Sequence, residues 1–269
     1  MTIELNKIYN ENCLDTMKRM PDCFIDLTVT SPPYDNLRDY NGYSFPFEEI
    51  AKELFRVTKQ GGVVVWVVGD ATVKGSETGT SFKQALYFMQ CGFLLHDTMI
   101  FERNTLPQNN NRYQNSFEYM FVFSKGTPKT FNKIMTDYSE GTKKRRKTKY
   151  INYTHRDNNN KSKPKTVGGL KDEGVIKKNI WKFNVGNYQS TKDKIAFKHP
   201  AIFPEQLAND HIISWSNEGD LVYDCFMGSG TAAKMAIINK RDWIGSEISD
   251  EYCKIIEKRL QPLLHNLFT

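Results

Sequence analysis

A chain of 269 residues with 39% hydrophobic and 13% aromatic content is long enough to bury a full core and too apolar to be disordered throughout. Its formal charge of +6 is modest, so where the charges fall says more than their total. The longest apolar run, Val63 to Val68, is far too short to span a bilayer, and Met1-Thr2-Ile3-Glu4-Leu5 lacks the layout of a signal peptide. Five scattered cysteines without a CxxC pair, and histidines without metal-ligand spacing, suggest neither a disulfide framework nor a metal site. A cytoplasmic protein without membrane or metal is the expectation.

In chain order, Ile25 to Thr30 (IDLTVT) has strand composition and runs directly into Ser31-Pro32-Pro33-Tyr34. Phe47, Ile50, Leu54 and Phe55 recur at helical spacing over Phe47 to Thr58, a helix closed by Gln60-Gly61-Gly62. Val63 to Val68 then reads as a parallel strand buried on both faces. Ser81 to Gln90 reads as a helix, and Leu94 to Phe101 and Phe117 to Phe123 as strands. From about Thr127 to Lys182 the chain turns polar, basic and aperiodic, which marks an insert that is either a small lobe or a loosely ordered segment. Alternation resumes with a helix Pro204 to Ser214, a strand Leu221 to Asp224, a helix Thr231 to Lys240, a strand Trp243 to Glu247 and a helix Glu251 to Leu260. Strands and helices alternating on both sides of an insert predict an α/β fold, a Rossmann-like, doubly wound, mostly parallel sheet. The predicted division is 1–126, an inserted 127–182, and 183–269.

The insert holds the densest charge. Lys143, Lys144, Arg145, Arg146, Lys147 and Lys149 are followed by Arg156, Lys161, Lys163 and Lys165 with few acids between. Such a cluster reads as an electrostatic footprint for phosphates, or as a solvated loop that touches nothing.

Two short blocks carry the chemistry. In Leu221 to Thr231, LVYDCFMGSGT, a strand ends in Asp224 and turns through Gly228, Ser229 and Gly230 into a helix that begins at Thr231. The glycines allow a tight bend and close approach of a ligand, and the amides beyond offer donors to an anion. The next strand ends in Glu247, about 20 residues on, where a carboxylate can accept both hydroxyls of a ribose. The pattern fits an adenosine-containing ligand. The fingerprint does not by itself choose between nicotinamide cofactors and S-adenosylmethionine, but a third glycine is missing, which leans away from a dinucleotide.

The second block, Thr30-Ser31-Pro32-Pro33-Tyr34, sits at the end of a strand, where open α/β sheets place their chemistry. Two prolines fix the backbone and leave carbonyls pointing outward. An exocyclic amine attacking a methyl sulfonium must free a lone pair that its ring delocalises. Acceptors for its two hydrogens, such as the Ser31 hydroxyl and a proline carbonyl, favour that state. Tyr34 can stack on a base swung out of the duplex. No Pro-Cys nucleophile exists in the chain, which removes methylation at a cytosine ring carbon.

With both blocks in view, the chain resembles the amino-methyltransferases of bacterial restriction-modification systems. Catalytic block, insert and cofactor block follow in the order of the permuted β class, and the likeness covers nearly the whole chain outside the insert. Asp224 to Thr231 is similar to that family's DPFxGSGT loop, with Cys225 in place of proline. Lys198-His199-Pro200-Ala201-Ile202-Phe203-Pro204 resembles the segment that closes over the methionine end of the cofactor, and Glu11-Asn12-Cys13 occupies the place of a Gly-Asp near the adenine. VTKQGG from Val57 and FEYMFVFSK from Phe117 are similar to its core signatures.

The resemblance implies an S-adenosylmethionine-dependent DNA methyltransferase. Its cofactor site would comprise Asn12, Cys13, Thr30, Lys198, His199, Pro200, Asp224, Phe226, Gly228, Ser229, Gly230, Thr231 and Glu247, and its catalytic turn Ser31, Pro32, Pro33 and Tyr34. The basic insert falls where the family carries its target-recognition region on double-stranded DNA. The family context also admits a homodimer and a cognate restriction endonuclease as partners. Ser31, together with the phenylalanine form of the His199 segment, points to cytosine N4 over adenine N6. A methyltransferase acting on RNA or on a protein glutamine, and a DNA-binding regulator with a dead cofactor site, are the remoter readings.

Overall fold

The β-branched run at Val63–Val68 lies inside an eight-stranded sheet that organises the larger part of the protein. A computed structural model describes residues 3–33, 45–104, 111–146, 150–156, 162–167, 174–186 and 188–265. The chain forms two compact units, Met1–Asn132 with Asn179–Thr269, and Lys133–Lys178.

In the first unit the sheet comprises β1 (Lys7–Tyr9), β2 (Ile25–Thr30), β3 (Thr58–Val68), β4 (Leu94–Arg103), β5 (Phe117–Ser124), β6 (Ile180–Phe183), β7 (Leu221–Asp224) and β8 (Asp242–Ser246). Their spatial order is β1-β8-β7-β2-β3-β5-β4-β6. Neighbours run parallel except at β5, which is antiparallel to both β3 and β4. The helices are α1 (Cys13–Arg19), α2 (Phe47–Val57), α3 (Thr80–Gln90), α4 (Glu205–Trp215), α5 (Thr231–Ile238) and α6 (Asp250–His265).

Two-sided burial explains the unbroken apolar run of β3. Val64, Trp66 and Val68 join Phe121 and Phe123 of β5 against Ile50 and Leu54 of α2 and Phe88 of α3. Val63, Val65 and Val67 alternate to the opposite face and are equally buried. Burying each such valine contributes about 1.5–3 kcal/mol. The indole of Trp66 keeps its one donor satisfied by giving it to Gln84 Oε1 at 2.8 Å.

Several boundaries differ from the sequence expectation. Helix α2 stops at Val57 because Thr58 turns extended and its hydroxyl donates to the Leu54 carbonyl at 2.6 Å. Strand β3 then starts at once, with Gly61 and Gly62 inside it. Strand β1 and helix α1 were not expected; α1 begins at Asn12, whose side chain accepts from the Leu14 amide at 2.9 Å. Ile180–Phe183, which straddles the predicted end of the insert, is the edge strand β6, pairing Ile180 with Ile100 and Phe183 with Arg103.

The second unit, Lys133–Lys178, contains a helix Glu140–Arg146, an antiparallel pair Tyr150–Arg156 with Ser162–Val167, and a short pair Met135–Thr136 with Val175–Ile176. It is narrower at both ends than 127–182. Among the described residues no helix is long and apolar enough to cross a membrane.

Candidate active site

Topology fixes where a ligand can enter this sheet. Strand β2 leads through α2 to β3 on one side, whereas β7 leads through α5 to β8 on the other, and β2 and β7 are neighbours. Outside the carboxyl ends of these two strands the crossover helices diverge, and a crevice opens. The two blocks singled out in the sequence, Ser31-Pro32-Pro33 and Asp224–Thr231, begin at those two ends.

A cavity of about 1350 Å³ occupies the crevice. Asn12, Cys13, Thr30, Ser31, Pro32, Pro33, His199, Pro200, Asp224, Phe226, Gly228, Ser229, Thr231 and Glu247 all line it. Residues separated by nearly the whole chain are thus brought together. Lys198 is exposed and does not line the cavity, and neither does Gly230. Tyr34 lies outside the described residues.

Asp224 and Thr30 tie the two blocks to each other. The Thr30 hydroxyl donates to Asp224 Oδ1 at 2.7 Å in the buried interior, and the Phe226 amide donates to the same oxygen at 3.0 Å. Burial pushes the Asp224 carboxyl up to about 7 against these two donors, and the charge on Glu247 adds to the rise. Glu247 is also raised by burial. Its Oε2 accepts from the Gly228 amide at 2.8 Å and its Oε1 from the Ser249 amide at 2.9 Å. Two buried carboxylates in one cavity favour a cationic ligand that also carries hydroxyl donors.

The loop between them is shaped by two glycines. Gly228 has φ +51, and a Cβ there would stand 3.0 Å from the His199 ring. Gly230 has φ +78, and its missing Cβ makes room for Ile256 of α6, which would otherwise approach to 2.8 Å. Gly230 therefore serves the packing of the bend on α6, whereas Gly228 keeps the cavity wall thin. His199 Nδ1 lies 2.8 Å from the Ala201 carbonyl and 3.1 Å from its amide. Its ring meets Tyr252 edge-on at 4.4 Å. Phe226 and Phe45 form an aromatic wall with ring centres 5.6 Å apart.

At the Asn12 corner the side chain is committed to capping α1, and burial pushes the Cys13 thiol up to about 12. That thiol is a neutral, apolar part of the wall.

One group that sequence reasoning missed holds the bend from behind. The guanidinium of Arg259 on α6 is wholly buried. It donates to the Ser229 carbonyl at 2.8 Å and to Thr231 Oγ1 at 3.0 Å, and pairs with Asp193 at 2.8 Å and Glu205 at 2.6 Å. Lys234 reaches the same two carboxylates at 2.7 Å each. The donors outweigh burial, and both acids are held below the usual carboxylate range.

The expected phosphate contacts divide. Lys143 is held by Asp137 at 2.5 Å and Glu140 at 3.0 Å, and Lys144 is exposed. The side chains of Arg145 and Arg146, and all of Lys147 and Lys149, lie outside what the structure describes.

Comparison with known proteins agrees with this architecture. The sequence is 58% identical over 248 residues to the orphan methyltransferase M.BamHII of Bacillus amyloliquefaciens, covering 89% of this chain and 90% of that one. The fold superposes on the cytosine-N4-specific PvuII DNA methyltransferase with a TM-score of 0.68 at 19% identity, covering 97% of this chain and 92% of the other. It also superposes, with a TM-score of 0.61 and 19% identity over 95% of each chain, on a DNA modification methylase of Thermus thermophilus complexed with S-adenosyl-L-methionine. The family model described as DNA methylase matches residues 25–258, a span that contains both cavity-lining blocks, and the chain belongs to this family of N6 and N4 DNA methyltransferases.

Proposed function

We propose that this chain methylates the exocyclic N4 of cytosine in double-stranded DNA, with S-adenosylmethionine as methyl donor. The observation that carries the reading is the single cavity in which Ser31 and Pro32 stand beside Asp224, Gly228 and Glu247. The residues present suit that donor. Two buried carboxylates suit its cationic end and its ribose hydroxyls, Gly228 admits close approach, and Phe226 offers a flat apolar surface. When bound, S-adenosylmethionine supplies an activated methyl group.

The chain's own residues do the rest by positioning. The Ser31 hydroxyl and the carbonyls of the Pro32-Pro33 turn accept the two hydrogens of the amine, which localises the nitrogen lone pair. Tyr34 stacks on the base after it leaves the duplex. Thr30, through its bond to Asp224, fixes the catalytic turn relative to the cofactor loop. The basic residues from Lys143 to Lys149 anchor phosphates in the target-recognition segment. Ser31 at the head of the turn and Phe203 in the His199 segment favour cytosine over adenine.

Expression in a methylation-free host, followed by nucleoside analysis of its DNA, tests the proposal. N4-methylcytosine supports it. N6-methyladenine would overturn the choice of base, and unmodified DNA would overturn the activity.

A further inference from the structure

We propose that Arg103, braced by Glu118, reads the Watson–Crick edge of the target base from the side of the cavity facing Ser31, donating to the adjacent N3 and O2 acceptors of cytosine, of which adenine offers a counterpart to N3 alone. The inference rests on the cytosine reading above and adds a specificity-determining residue to it. Arg103 is the last residue of β4 and Glu118 the second of β5, and both line the cavity that holds Ser31 and Pro32.

Register places them on one face of the sheet. Glu118 lies opposite Phe101, two residues before Arg103. Val122, four residues beyond Glu118, pairs with Val65, which pairs with Val29, two residues before Ser31. Side chains two apart share a face, so Ser31, Glu118 and Arg103 project to the same side at the carboxyl edge of β2 and β4. Strands β2 and β4 are three places apart, which is roughly 14 Å across the sheet. An extended arginine side chain and a pyrimidine ring together span that interval.

Arg103 is held but not saturated. Its Nε lies 3.4 Å from Glu118 Oε1, and the two side chains are 30% and 20% exposed. Nε is buried and finds no hydrogen-bond partner among the described residues. The ion pair engages this inner nitrogen and leaves the part-exposed side chain at the cavity wall, where the outer guanidinium donors are open to a ligand. The backbone around it is fixed. The Arg103 amide donates to the Ser116 carbonyl at 2.8 Å, and the next residue, Asn104, accepts from the Val185 amide at 2.6 Å and donates to its carbonyl at 3.2 Å.

The chemistry favours one base. Beside its N4 amine, cytosine presents N3 and O2, two acceptors in a row. Beside its N6 amine, adenine presents N1 and then a C2–H. A guanidinium offers several coplanar donors and no acceptor, so it matches the first edge and half of the second.

The test is a cycle in kcat/KM on a duplex carrying the site the enzyme modifies, with cytosine or 3-deazacytosine (which lacks the N3 acceptor) at the target position. Arg103→Met should lower kcat/KM on cytosine by about 10- to 100-fold, with cofactor affinity unchanged and Arg103→Lys intermediate. The wild type should lose a comparable factor on 3-deazacytosine, and Arg103→Met should lose no more. Should Arg103→Met also lose cofactor binding, Arg103→Lys carries the same cycle. Additive losses with N4-methylcytosine as the product, or a variant within about two-fold of wild type, would overturn the role of Arg103 and leave the cytosine reading standing. N6-methyladenine as the wild-type product would overturn both.

Discussion

Thr30 and the Phe226 amide both donate to Asp224, and both favour its ionised form, yet burial prevails and lifts the carboxyl from an ordinary 3.8 to about 7. The native state therefore holds this proton more tightly than the unfolded chain does. The stability that Asp224 contributes is complete below about 3.8 and is lost as pH rises through about 7. Asp224→Asn cannot titrate. The wild-type-minus-variant difference in unfolding free energy should thus fall as pH rises across that window, and denaturant melts at a series of pH values would reveal it. A difference independent of pH would remove the claim. Ser31 makes a separate prediction at the same scale. If its hydroxyl accepts an amine hydrogen only as the nitrogen attacks, Ser31→Ala lowers kcat by roughly 100-fold while cofactor affinity survives. Loss of cofactor affinity in that variant would assign Ser31 to the wrong half of the reaction.

Between elements, Arg259 is the group on which the glycine bend depends. One guanidinium links α6 to the Ser229 carbonyl in the bend, to Asp193 ahead of α4, and to Glu205 at the start of α4. Arg259→Met leaves two part-exposed carboxylates with Lys234 as their remaining partner, and losing hydrogen bonds to charged groups of this kind costs about 1.5–3 kcal/mol. The same change should raise the KM for cofactor more than it lowers kcat, with Arg259→Lys recovering part of the loss, and paired melts and steady-state kinetics would separate the two effects. Equal falls in kcat and kcat/KM would contradict a positioning role. This cluster was not legible in the sequence. Arg259 lies on an amphipathic helix where a charge ordinarily faces water, and its burial depends on Asp193, 66 residues away. Strand β6 escaped for a related reason, since four residues of a basic segment become a strand only by pairing with β4. What could be read was local. A β-branched run marks a two-sided strand, and DCFMGSGT is a strand, bend and helix start written in consecutive residues. The second of these, together with Ser31-Pro32-Pro33 directly after Ile25–Thr30, located the crevice, because the ends of β2 and β7 are where the sheet divides.

Across the whole molecule, charge is segregated between the two units. Lys133–Lys178 holds 14 of the 37 basic residues and 5 of the 31 acidic ones, so it is more positive than the complete chain at +6. The remainder is slightly acidic, in keeping with a cavity lined by Asp224 and Glu247. A polyanion and a cationic cofactor are thereby attracted to different units by opposite fields. Within the basic unit the lysines are unequal. Lys143 already has Asp137 and Glu140 within 3.0 Å, and neutralising it leaves those acids behind, whereas Lys144 is exposed. If this unit anchors DNA, each phosphate contact contributes about 0.9 to the slope of log K against log salt. Lys144→Gln should lower that slope by nearly the full increment and Lys143→Gln by distinctly less, with cofactor affinity untouched in both. Fluorescence anisotropy of duplex binding over a salt series measures the two slopes. Identical slopes for both variants and wild type would take this helix off the DNA.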